Sequence, residues 1–179
     1  IKQAGHECVL FDQANPDTPN QVIIDRINQE QPALVGLSFL STTSYPYAKM
    51  LAREIRATNQ KVKLAFGGVF ASLNASLVKL QCPEVDFVCR GDGEQLLLDL
   101  LANLENPQAV ASLTWMKDGQ VVQNPNRPTE RHLDQWPFPD RESLELDYVE
   151  SMPLDVPVVL SMRRFTTLQT SRGCPWPCI

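Results

Sequence analysis

The most specific chemical signal in the chain is a pair of cysteines near its end. Cys174 and Cys178 stand in the run Thr170-Ser171-Arg172-Gly173-Cys174-Pro175-Trp176-Pro177-Cys178. A thiolate is both a nucleophile and a metal ligand. There are five cysteines, Cys8, Cys82, Cys89, Cys174 and Cys178, an odd number in a chain without secretory features. A disulfide framework is therefore not expected, and reduced thiols or metal ligands are. Thioredoxin-type dithiol chemistry uses a C-x-x-C pair, which this is not. The plain alternative is a chance pair in a proline-rich tail. Cys8, Cys82 and Cys89 fall in or beside apolar segments and read as buried packing residues.

The second signal is a set of three clusters, each following a short apolar run. Ser38-Phe39-Leu40 leads into Ser41-Thr42-Thr43-Ser44; Gly67-Gly68 precedes Val69; and Gly91-Asp92-Gly93-Glu94 closes the third. Glycine lets backbone approach a large flat ligand closely, while hydroxyls and free amides can hydrogen-bond its polar periphery. The candidate contacts are Ser38, Leu40, Ser41, Thr42, Gly67, Gly68, Val69, Gly91, Asp92, Gly93 and Glu94. Each cluster has a plainer reading: a Gly-Gly pair makes tight turns, and Ser/Thr runs and Gly-Asp-Gly-Glu cap helices.

The elements that must position these residues alternate between β-rich apolar runs and helical periodicity from Glu7 to Glu105. That alternation predicts an α/β fold with a doubly wound parallel sheet. Strands are expected at Cys8 to Phe11, Ala33 to Leu40, Lys61 to Phe66 and Val85 to Cys89. Helices are expected at Asn20 to Gln31, with Val22, Ile23 and Ile27 inward and Pro32 as its stop; at Tyr47 to Thr58, with Ala48, Leu51, Ala52 and Ile55 inward; at Ala71 to Leu80; and at Glu94 to Glu105, started by Asp92 or Gly93. Ile1 to Gly5 reads as the last turn of a helix closed by glycine, which predicts a preceding, central strand and five parallel strands in all. Ligands bind such folds at the carboxyl ends of the strands, where the three clusters lie.

Leu113 to Lys117 and Gln120 to Gln123, joined by Asp118-Gly119, predict a β-hairpin. From Asn124 onward Pro125, Pro128, Pro137 and Pro139 with Trp136 and Phe138 indicate a connector lying across a surface, the two aromatics anchoring it. Expected units are thus 1–106, an α/β domain; 107–123, a hairpin extension; 124–165, a connector; and 166–179, the start of another domain.

The totals exclude several classes. A net charge of −5 and a lack of clustered Lys and Arg argue against a nucleic-acid partner. The longest apolar run, Ala33 to Leu40, is far short of the roughly 20 residues of a membrane span. A cytoplasmic protein is expected.

With its lead-in, the cysteine run resembles the start of the radical S-adenosylmethionine (SAM) motif C-x-x-x-C-x-x-C, whose third cysteine would fall just past Ile179. The resemblance implies that Cys174 and Cys178 ligate a [4Fe-4S] cluster, one iron of which stays open for SAM. The three clusters in their order resemble Rossmann-like B12-binding domains, with Ser-x-Leu and Gly-Gly elements after the third and fourth strands. Gly91-Asp92-Gly93-Glu94 is similar to the Gly-Glu-Gly-Glu of radical SAM proteins carrying such a domain, Asp92 being the departure.

This resemblance covers nearly the whole chain and implies the cobalamin-binding part of a B12-dependent radical SAM enzyme, joined to a truncated radical SAM domain. It is similar to the anaerobic magnesium-protoporphyrin IX monomethyl ester cyclase group and related Fe-S oxidoreductases and methyltransferases. A SAM-derived radical would then act on a small-molecule or tetrapyrrole-like substrate, with cobalamin in methyl or electron transfer and the protein's own radical SAM barrel as partner. These residues alone are expected to be inactive. Neither His6 nor His132 is expected to ligate cobalt.

Two rivals stand beside this reading. One is a domain that has lost cobalamin and only docks the radical SAM half. The other is a receiver-like signalling module, disfavoured because Ser38 and Arg90-Gly91 occupy the places of its Asp and Lys. A nucleotide-binding enzyme is disfavoured because no G-x-G-x-x-G follows a strand. Replacing Gly68 by a bulky residue is expected to weaken cobalamin binding while leaving the sheet folded.

Overall fold

The structure, a computed structural model, describes residues 1–13, 17–128, 130 and 132–140. Its elements in chain order are α1 (Asn20–Glu30), β1 (Leu34–Ser38), α2 (Tyr45–Thr58), β2 (Lys63–Gly67), α3 (Val69–Leu73), α4 (Ala75–Gln81), β3 (Phe87–Cys89), α5 (Gly93–Ala102), β4 (Leu113–Lys117) and β5 (Gln120–Gln123). A 3-10 turn at Lys2–Ala4 closes on Gly5 at φ 84, as the glycine signal predicts.

The strands form one open sheet in the order β1-β2-β3-β4-β5. β1, β2 and β3 are parallel, with Ser38 opposite Gly67 and Phe66 opposite Val88. β4 joins β3 antiparallel and carries β5 with it, so the sheet is mostly parallel rather than wholly so. The hairpin turn has Asp118 at φ 49 and Gly119 at φ 77. Two successive positive φ angles make the tight turn whose twist suits paired strands.

Cys8 to Phe11 is not a strand, against expectation. β structure exists only as a ladder with a neighbour, and these residues have none among those described; Val9, Leu10 and Phe11 are 56%, 45% and 39% exposed. Cys8 is accordingly half-buried, while Cys82 and Cys89 are buried as expected.

Helices cover both faces. On one, Ile23, Ile24 and Ile27 of α1, Ala48, Leu51, Ala52 and Ile55 of α2, and Ala71, Ala75 and Val78 of α3 and α4 pack on Leu64, Phe66 and Val88. The inward set of α2 is the expected one; in α1 the face is rotated, Ile24 replacing Val22, which is 45% exposed. On the other face Leu96 and Leu100 of α5 pack on Ala65, Phe87, Cys89, Val110 and Leu113.

The single helix expected from Ala71 to Leu80 is two. Asn74 breaks it at φ −119, its side-chain amide donating to the Phe70 carbonyl at 3.0 Å. Asparagine competes for backbone groups in this way and so favours breaks. At the other end of the described chain Trp136 is half-buried and Phe138 is 91% exposed.

Two polar hubs hold the layers in register. Arg56 of α2 donates to the carbonyls of Val62 and Glu84 and forms an ion pair with Asp86 at 2.8 Å, while Asp86 accepts the Leu64 amide at 2.8 Å. Asn124, after β5, donates to the carbonyls of Pro107 and Val110 and accepts from the Trp115 indole.

Candidate functional site

The loops after β1, β2 and β3 meet at the carboxyl edge of the sheet, where the three clusters were expected. An aromatic group beneath them sets their height. Phe39, 5% exposed, lies edge-on to Phe66 at 5.1 Å, stacks on Tyr45 at 5.6 Å and touches Phe70 at 6.0 Å between ring centroids. Such pairs add about 0.5–1.5 kcal/mol each to the burial of their area. With Phe39 held down, its chain neighbours Ser38 and Leu40 are exposed, Leu40 at 74%. No chemical signal in the sequence marks Phe39; its partners come from three separate elements.

The first two loops are bonded and interlocked. The Phe39 amide donates to the Gly67 carbonyl at 3.2 Å. Gly68 has φ 90 and ψ 177, a region essentially reserved for glycine. A Cβ there would meet the backbone of Phe39, at 2.3 Å from its carbonyl oxygen and 2.9 Å from its nitrogen. This corrects the expected outcome at Gly68. A side chain there displaces the β1 loop itself, so replacement disturbs the fold and is no clean probe of a ligand.

Gly67 behaves differently. It ends β2, and a Cβ on it would meet only the Cβ of Cys89, at 4.0 Å. Gly91, at φ 79, has nothing within 4 Å of the same position. Gly93 opens α5 with Asp92 as its N-cap, and its added Cβ would lie 3.9 Å from Leu97. The edge therefore presents open space at Gly91 and only ordinary contact at Gly67 and Gly93. Leu40 and Val69 are exposed on the same edge, Val69 at 56%. Glu94 lies in the first turn of α5.

The hydroxyl loop is tied into itself. The Ser41 hydroxyl bonds those of Thr43 at 2.7 Å and Ser44 at 3.1 Å, and the Ser44 hydroxyl donates to the Ser41 carbonyl. This is the local turn and capping chemistry of serine and threonine. Thr42 is exposed in the same turn.

Ser72 of α3 escaped the sequence reading altogether. Its hydroxyl donates to the Gly68 carbonyl at 2.8 Å and accepts the Gly91 amide at 3.0 Å, joining the second loop to the third. Only the fold brings these residues within reach.

Beside Ser72 and Arg90 opens a cleft of about 350 Å³. Another, of about 390 Å³, lies at the opposite end of the sheet by Lys63, Val85 and Phe87, away from the three loops. Cys89, under Gly67, is no candidate ligand, since burial pushes its thiol up to about 12. Burial, with a hydrogen bond to Glu84, does the same to Cys82. A neutral thiol is a poor nucleophile and metal ligand.

Among the described residues no group of three or more His, Cys, Asp and Glu is placed to hold a metal, and no helix is long and apolar enough to cross a membrane. His6 and His132 are exposed. Cys174 and Cys178 lie outside the described residues, as does most of the expected connector.

Over 97% of its length the chain is 28% identical to an uncharacterized methyltransferase from Pyrococcus horikoshii, covering 36% of that protein. Over 99% it is 26% identical to the anaerobic magnesium-protoporphyrin IX monomethyl ester cyclase of a Synechocystis species, covering 35%. The chain thus spans about a third of the length of these curated relatives.

Its fold is similar to that of the radical S-adenosylmethionine methyltransferase TsrM from Kitasatospora setae, solved with cobalamin and a [4Fe-4S] cluster bound. The TM-score is 0.61 and the identity 18%, over 73% of this chain and 25% of that one. Residues 1–101 match the B12 binding domain family, and the chain belongs to that family.

Proposed function

We propose that this chain holds cobalamin at the carboxyl edge of its sheet, as the cobalamin-binding part of a radical SAM enzyme of the cytoplasm. The observation that carries the reading is the open glycine edge. Gly91 has open space where a side chain would otherwise stand, and a Cβ on Gly67 would touch only Cys89. A flat, largely apolar macrocycle with a polar rim fits such a surface, because exposed Leu40 and Val69 can lie against its faces while Ser38, Thr42 and loop amides serve its rim. Gly68, Asp92, Gly93 and Glu94 shape the same edge. Ser41 contributes chiefly to the turn that presents Thr42.

When bound, cobalamin would supply methyl or electron transfer, and a cluster with SAM would supply the radical. The protein's part is to bind and orient. Cys174 and Cys178 are proposed to ligate two irons of that cluster in the full-length protein. The substrate class suggested by the relatives is a small molecule or tetrapyrrole, altered by methyl transfer or oxidative cyclisation.

Titration of the full-length protein with hydroxocobalamin, followed by gel filtration, tests the reading. Cobalamin absorbance that co-elutes with the protein near one to one is the expected result. Free cobalamin overturns it and leaves a domain that only docks its radical SAM half.

A further inference from the structure

We infer that Ser72 is a positioning residue for cobalamin, acting by clamping the second and third loops of the edge to each other; the inference rests on the function proposed above. Its hydroxyl is used in both directions. The Gly91 amide can only donate, so Ser72 Oγ accepts there at 3.0 Å, and its proton goes to the Gly68 carbonyl at 2.8 Å. The backbone amide of Ser72 also donates to the Gly68 carbonyl, at 3.0 Å. One short side chain thereby couples two glycines that both adopt positive φ, at 90° and 79°.

Glycine is the residue whose backbone loses most freedom on ordering. Two glycine loops that face a ligand therefore need an external constraint, or binding must itself order them and is weakened accordingly. Gly68 is already held against Phe39. Gly91 has only open space where a side chain would stand, so its bond to Ser72 ties it to that fixed point. Residues Asp92 to Glu94 follow directly and start α5, so the clamp also sets where that helix begins relative to the edge.

Removing the hydroxyl leaves the Gly91 amide to water and frees the third loop. Threonine keeps it, and Ser72 borders the cleft of about 350 Å³, which has room for a methyl group.

The test uses the full-length protein as wild type, Ser72→Ala and Ser72→Thr. Cobalamin affinity and dissociation rate are measured well below the melting temperature, and melting is recorded without cobalamin. Ser72→Ala is expected to bind about fivefold more weakly, the equivalent of one ordinary hydrogen bond of ~1 kcal/mol, mainly through faster release. Ser72→Thr is expected to bind as wild type does. A merely structural serine would lower the melting temperature in Ser72→Ala but leave affinity for the folded protein unchanged. Wild-type affinity in Ser72→Ala, or equal weakening in both variants, overturns the inference. A wild-type protein that binds no cobalamin overturns the proposed function, and this inference with it.

Discussion

A Cβ added to Gly68 would lie 2.3 Å from the carbonyl oxygen of Phe39, so the loops after β1 and β2 can approach as they do only because residue 68 has no side chain. Neighbouring Gly67 carries no such constraint. The two glycines of one Gly-Gly pair thus do different jobs, one for the fold and one for whatever lies above it.

Substitution separates those jobs. Gly68→Ala should lose roughly 1–3 kcal/mol of stability from its backbone conformation alone, before any cost of moving Phe39. Gly67→Ala should leave stability unchanged or raise it by about 0.5 kcal/mol, since glycine disfavours a strand. It should nevertheless weaken cobalamin binding about tenfold by adding a methyl group at the strand end that the ligand faces, a cost of about 1.4 kcal/mol. Denaturant unfolding and cobalamin titration of the two variants read these outcomes.

Cys82 and Cys89 should make stability fall at high pH. Burial holds both thiols at about 12, against an ordinary value of 9.0. As pH rises above 9 the unfolded chain gives up those protons and the folded one keeps them, so unfolding becomes easier up to about pH 12. The slope from each thiol is at most about 1.4 kcal/mol per pH unit. Stability of the Cys82→Ala/Cys89→Ala variant, measured from pH 8 to pH 10, should decline less steeply than that of wild type.

Asp86 should be needed for stability through two partners at once. Asp86→Ala takes the carboxylate from Arg56, which keeps its carbonyl partners, and leaves the Leu64 amide without its acceptor. The pair is only partly buried, with side chains 17% and 32% exposed, so the loss should be about 2 kcal/mol, below the roughly 3–5 kcal/mol of a fully buried pair. Asp86→Asn keeps an acceptor for Leu64 and should lose about 1 kcal/mol. Urea unfolding midpoints compare them.

Asn124→Ala should loosen the strap that follows the hairpin. It strands the Val110 carbonyl and the Trp115 indole N–H and leaves the Pro107 carbonyl with the Val110 amide alone, at roughly 2–4 kcal/mol in total. Trp115 emission should shift to the red in the native protein, reporting the indole's exposure to water.

What the sequence determined by itself was whatever depends on near neighbours along the chain. The inward face of α2 follows from 3.6-residue periodicity at Ala48, Leu51, Ala52 and Ile55, and the hairpin turn from Asp118-Gly119, because helix faces and tight turns are set within a few residues. The three loop clusters and their common edge were legible for a related reason: in a parallel sheet every strand end is followed by its own loop, so order along the chain becomes adjacency in space.

Tertiary structure alone decided the rest. Cys8 to Phe11 has strand-like residues and no ladder, since pairing needs a second segment. The close approach of Gly68 to Phe39, the aromatic group under the edge and the bridge from Ser72 to Gly91 all join residues from separate elements. Their energy comes from contacts that exist only once the chain is packed, so no local pattern of residue types records them.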